Sequence, residues 1–149
     1  MRKVMFVLFL SLFITACSEP PEFIGYKLGT ALNSVDDSFD CQKVKSSIAC
    51  TKGVTNKGYY ARHVLLYNDK KLSNIVVEFH NGDSANCKMV KDAFVLRAGE
   101  VVSTDIDAYG AKYITDSLIV SFTEIGDFCH VGVQTKESRL KELEKKTGV

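Results

Sequence analysis

The chain lacks most of the signatures that announce an enzyme or a nucleic-acid-binding protein. It has no Gly-x-Ser-x-Gly turn, no glycine-rich phosphate loop and no His-Glu-x-x-His pair. The commonest hydrolase, nucleotide and zinc-peptidase sites therefore have no footing in it. Cys-x-x-Cys is absent as well, which argues against a thiol oxidoreductase. Histidine is scarce: His63, His80 and His130 are the only three. They lack the close spacing of a metal-binding pair and read as surface strand residues. Asp105, Asp107 and Asp116 sit in or near a loop, but without the glycine and final glutamate of a calcium loop, so they read as solvated. Asp36 and Asp37 read as a helix end or a turn. No metal or cofactor is expected. An excess of positive charge is missing too, with 19 basic against 18 acidic residues, so nothing here would hold a polyanion. Proline occurs twice, at Pro20 and Pro21. No low-complexity stretch breaks the chain, and after the N-terminus no apolar run is long enough for a second membrane contact.

What is present at the N-terminus is specific. Arg2 and Lys3 precede an apolar run from Val4 to Ile14, broken by Ser11. The run is shorter than the roughly 20 residues that span a bilayer and has the length of an export-signal core. It closes on Ile14-Thr15-Ala16-Cys17. This tetrad resembles the lipobox of bacterial lipoproteins. The resemblance covers only about the first 18 residues. It implies diacylglyceryl transfer to the Cys17 thiol, cleavage before it and acylation of the new amine. Ser18, in place of the Asp that retains family members at the inner membrane, implies the outer membrane, facing the periplasm. Each buried CH₂ contributes about 0.8 kcal/mol, so two or more acyl chains anchor stably. The expected layout is thus a signal peptide at 1–16, a lipidated tether at 17–24, a domain at 25–135 and a charged tail at 136–149. Without Arg2 and Lys3 the mature 133 residues carry 17 basic and 18 acidic groups, a net charge of −1.

Four cysteines remain in the body: Cys41, Cys50, Cys87 and Cys129. An even number in an exported chain implies disulfides, and four cysteines allow three connectivities. Strand placement chooses between them. Phe39 to Thr51 reads as a hairpin turning at Lys45-Ser46, which sets Cys41 opposite Cys50 within bridging distance. Ser117–Thr123 and Phe128–Thr135 read as a hairpin around Gly126-Asp127. Its apolar face carries Leu118, Val120, Phe122, Cys129, Val131 and Val133. A helix begins with Asp83 or Ser84 as its cap, runs to about Ala98 and stops at Gly99. Cys87, Val90 and Phe94 share one of its faces. Packing that face on the hairpin pairs Cys87 with Cys129.

Two further pieces complete the order. Thr30 is a plausible cap for a short first helix with Leu32 and Val35 on one face. Tyr59–Tyr67 and Leu72–Phe79 form a hairpin with Asp69-Lys70 at its turn. In that register Val64 faces Ile75 and Arg62 faces Val77. Val64, Leu66, Ile75, Val77 and Phe79 then face the core, and His63, Tyr67, Asn74, Val76 and Glu78 face away. The tail from Lys136 to Lys146 reads as a charged helix with Glu137–Lys141 and Glu142–Lys146 pairs. Helix, about three strands, helix, two or three strands and helix make an α+β fold, a two-layer sandwich of antiparallel hairpins with helices packed on one face. The two halves share the order helix, hairpin strands, disulfide.

Function is less legible. Leu28-Gly29-Thr30 is similar to a turn in small outer-membrane assembly lipoproteins, a likeness that carries over no site residues. Aromatic and arginine side chains are favoured binding anchors. Arg62, His63, Tyr67, Tyr109 and Tyr113 are accordingly the expected partner surface, with Tyr59 and Tyr60 as further edge tyrosines. The expectation is a non-enzymatic binding module tethered to the membrane through Cys17: an assembly accessory, an inhibitor, or an immunity or exclusion factor gripping another envelope protein. The alternatives are an envelope hydrolase built on a His63–Glu78 pair near His130, and a purely structural lipoprotein.

Overall fold

The computed structural model describes residues 21–56, 59–80 and 84–147, with the backbone alone for Asn56, Glu142 and 145–147. Cys17 and the rest of 1–20 lie outside the described residues, as do the proposed helix cap Asp83 and the Glu142–Lys146 pair.

Among the described residues, ten strands and two α-helices form the fold. A small hairpin joins β1 (Glu22–Phe23) to β2 (Tyr26–Lys27), and a 3-10 turn follows at Leu32–Ser34. Then come β3 (Asp40–Val44), β4 (Ser47–Asn56), β5 (Tyr59–Asn68), β6 (Lys71–Phe79) and α1 (Ser84–Ala98). The second half is β7 (Ser103–Asp107), β8 (Gly110–Ile114), β9 (Leu118–Ile125), β10 (Phe128–Thr135) and α2 (Lys136–Thr147). Eight strands make one antiparallel sheet in the order β3-β4-β5-β6-β10-β9-β8-β7. It consists of two four-stranded meanders that meet at the central β6–β10 pair. The chain is mostly antiparallel sheet, more so than the α+β expectation foresaw. The turns between β3 and β4 and between β9 and β10 match the sequence, as do Phe122 opposite Val131 and Val120 opposite Val133.

Four expectations need correction. The first helix is a single 3-10 turn capped by Ala31, and the Thr30 hydroxyl bonds back to the Lys27 carbonyl at 2.9 Å. The tether's last residues belong to the fold, because Phe23 is buried and stacks on Phe94 with ring centres 5.1 Å apart. The loop carrying Asp105 and Asp107 is the β7–β8 hairpin. The fourth correction concerns register. Asp69 and Lys70 form the turn, both with positive φ, and Asn68 pairs with Lys71 as expected. Between Leu66 and Tyr67 the register then shifts, so that Leu65 faces Ile75 and Arg62 faces Glu78. Ser73 is the extra residue, its hydroxyl donating to the Leu66 carbonyl at 2.9 Å and accepting from Asn68. A one-residue slip moves every side chain of a strand to the other face. Ala61, Leu65 and Tyr67 are therefore buried, while Val64 and Leu66 face the other way.

The core lies on the face defined by Ile75, Val77 and Phe79 of β6 and Cys129, Val131 and Val133 of β10. The inner side of α1 covers its second half, through buried Cys87 and Phe94. Cys87 is bonded to Cys129 and Cys41 to Cys50, the expected connectivity. Gly99, at φ 102°, ends α1 in the left-handed conformation that a glycine adopts without penalty. No helix among the described residues is long and apolar enough to cross a membrane.

Candidate functional site

The five residues singled out from the sequence do not form one surface. Arg62 is exposed on the sheet face away from the core and pairs with Glu78 across the strands. Its neighbour His63 points to the core side. There it is half-buried, with Nδ1 3.1 Å from the Tyr26 hydroxyl and the two rings edge to face. Burial holds the His63 imidazole below its ordinary value, and the Lys52 cation opposite it acts in the same direction. Tyr67 is in the core, and burial raises its phenol. Tyr113 also faces the core side, half-buried, with the Lys91 ammonium 5.7 Å from its ring centre. Tyr109 is 63% exposed in the β7–β8 turn.

The His63–Glu78 pair that a hydrolase would need is not formed. Glu78 and His130 are direct partners across β6 and β10, on the same face as Arg62. His63 lies on the opposite face. The bulge at Ser73 is the physical reason, and a bulge inside an otherwise regular alternation leaves no trace in hydrophobic periodicity. No cluster of three or more His, Cys, Asp or Glu suited to a metal occurs among the described residues.

The feature that emerges instead is the sheet face away from the core. Val64 and Leu66 of β5, Asn74, Val76 and Glu78 of β6, His130, Gly132 and Gln134 of β10 and Ile119 and Ser121 of β9 share it by register. None of its apolar side chains belongs to the buried core. At its centre the Ser121 side chain fills the space over Gly132, where an added Cβ would come 2.8 Å from the Ser121 hydroxyl. Beside it, Asn74 Nδ2 donates to Gln134 Oε1 at 3.4 Å, while Asn74 Oδ1 is buried with no hydrogen-bond partner among the described residues. A buried acceptor left unpaired costs about 1–3 kcal/mol.

At one end of this face the hairpin turns carry exposed aromatic and aliphatic groups. Tyr60 near the start of β5, Phe128 at the start of β10 and Ile125 at the end of β9 are each about half exposed. The His80 ring meets Phe128 edge to face at 5.0 Å. Tyr109 belongs to the same end, since its carbonyl accepts from Glu124 N at 2.9 Å. Asp107 shapes that turn by accepting from the Tyr109 and Gly110 amides. Of this set the sequence singled out only Tyr109 as a partner residue. Phe128 and Ile125 flank the expected Gly126-Asp127 turn, and that position next to a turn was the available signal.

No known protein family matches the chain, and no curated protein or solved structure does either.

Proposed function

We propose that the chain is a lipid-anchored protein of the cell envelope that acts as a non-enzymatic binding module. Cys17 carries the lipid and the open face of the sheet holds another envelope protein. The Ile14-Thr15-Ala16-Cys17 resemblance supports the anchor, and Ser18 supports the outer membrane. The observation that carries the binding role is the open face itself. It combines half-buried aliphatic groups with an exposed Tyr60–Phe128–Tyr109 end. Contact surfaces of protein complexes have this composition: an apolar centre, aromatic anchors and polar groups around them. The reading takes the helices as one layer on the side of α1, leaving the opposite face free. Assembly accessory, inhibitor and immunity or exclusion factor are the roles it accommodates.

The test is site-specific photo-crosslinking in living cells. A photoreactive amino acid at Val64, Ile119 or Phe128 should yield one discrete protein adduct shared by all three positions. The same group at Asn33, exposed on the 3-10 turn on the other side of the sheet, should yield none. Absence of an adduct at the three sheet positions, or the same adduct from Asn33, would remove the open face as the binding surface.

A further inference from the structure

α1 is apolar on two opposite sides. Cys87, Val90, Phe94 and Ala98 point inward. Ala85, Met89, Ala93 and Leu96 follow the i, i+4, i+8, i+11 spacing and lie together on the other side. Met89 is 57% exposed and Leu96 85% exposed. Helix periodicity explains a single apolar stripe as the face that packs on the core. It gives no reason for a second stripe in water. Val102, just beyond the helix, is 55% exposed as well.

The position of this stripe relative to the chain's N-terminal segment suggests what covers it. Arg97, in the last turn of α1, donates from Nε to the Glu22 carbonyl at 3.2 Å. Phe23 is clamped against Phe94 of the same helix. The chain is therefore fixed to the C-terminal half of α1 at Glu22. Only five residue steps separate Glu22 from Cys17, a reach of at most about 18 Å fully extended. The aromatic end of the sheet lies at the other end of α1, where Cys87 in the first turn is bonded to Cys129 at the start of β10.

We propose that the outer face of α1, through Met89, Ala93, Leu96 and the adjoining Val102, rests in the interfacial region of the lipid bilayer. The inference rests on the lipid anchor at Cys17 proposed above. A helix lying in the membrane plane buries its apolar side among the headgroups and upper acyl chains. The short tether supplies that contact at high effective concentration, since linked sites bind as one molecule. The membrane contact then orients the domain: α1 faces the bilayer, and the open sheet face, on the opposite side of the sheet, turns away from it toward a partner.

The chain contains no tryptophan, so a single introduced one reports its own surroundings. Full-length lipidated Leu96→Trp and Met89→Trp chains are reconstituted into phosphatidylethanolamine–phosphatidylglycerol vesicles, with and without brominated acyl chains. Ile125→Trp, at the far end of the sheet, is the control. Sedimentation with the vesicles is read in the same samples. We expect co-sedimentation of all three chains, a blue-shifted emission for the two helix positions, and several-fold stronger quenching by brominated lipid there than at Ile125→Trp. A chain that does not co-sediment overturns the anchor and this inference together. Co-sedimentation with both helix tryptophans still emitting as in water overturns this inference and leaves the anchor standing. A blue shift without lipid quenching means that protein, a second copy or a partner, covers the helix, and it overturns the inference too.

Discussion

At the residue scale His63 is the most informative position. Tyr26 from the small hairpin and Lys52 from β4 face it, and burial in their company disfavours its charged form. In the unfolded chain the imidazole takes up its proton near its ordinary value of 6.5. In the folded chain it does so only at lower pH. The unfolded state therefore binds more protons between the two values, and stability falls as the pH drops through that interval. Above the ordinary value the contribution is complete; below the folded value nothing further is lost. His63→Gln should flatten this loss, so that melting temperatures from about pH 7 to about pH 5 decline less than in the unaltered chain. His80 and His130 are unchanged in the comparison, so an identical decline in both proteins would refute the assignment. The sequence placed His63 on a strand and named it, but gave it the wrong side. Its hydrogen-bond partner, 37 residues away, was beyond any local pattern.

At the scale of elements the two disulfides do different work. Cys41 and Cys50 close nine residues across a hairpin, whereas Cys87 and Cys129 close 42 and pin α1 to the sheet. Loop-closure entropy makes the longer bridge worth about 4 kcal/mol and the shorter about 2.5 kcal/mol. Access runs the opposite way. Cys41 is exposed on an edge strand, while Cys87 and Cys129 are 0% and 3% exposed. Thiol–disulfide exchange needs a thiolate to reach a sulfur. Under limiting dithiothreitol in native buffer, Cys41–Cys50 should open first, with alkylation followed by mass spectrometry as the readout. Replacing Cys87 and Cys129 together by alanine should lower the urea midpoint more than the same change at Cys41 and Cys50. Early labelling of Cys87 would contradict the packing of α1. Both pairings were legible because each cysteine sat in an element with a clear turn or periodicity. The β7–β8 hairpin was not, because every residue of β7 is exposed. An edge strand of the form Thr104-Asp105-Ile106-Asp107 buries nothing that would mark it against a loop. It exists because β8 presents a free ladder of backbone groups on the side away from β9, against which β8 packs closely at Gly110, an added Cβ there falling 1.9 Å from the Phe122 carbonyl oxygen.

At the scale of the whole molecule, the proposed anchor and the fold should be separable. Cys17 takes part in neither disulfide. Cys17→Ser should therefore abolish acylation, measured by metabolic labelling with palmitate, and release the protein from membranes. The body should retain both bridges, measured as the absence of free thiols in unreduced protein. Continued labelling in the variant would end the lipoprotein reading. The sequence by itself determined what is local. The apolar run and its closing tetrad, the turns at Lys45-Ser46, Asp69-Lys70 and Gly126-Asp127, the inner face of α1 and the cysteine pairing all follow from short-range spacing. Tertiary structure alone decided what depends on distant partners. Ser73 is accommodated as a bulge, which turned β5 over and took Tyr67 into the core. Phe23 was drawn in against Phe94. Two four-stranded meanders joined through β6 and β10 into one eight-stranded sheet. Periodicity records which residues share a side of an element. Only the packed chain settles which side is covered, because burial depends on contacts between elements far apart in sequence.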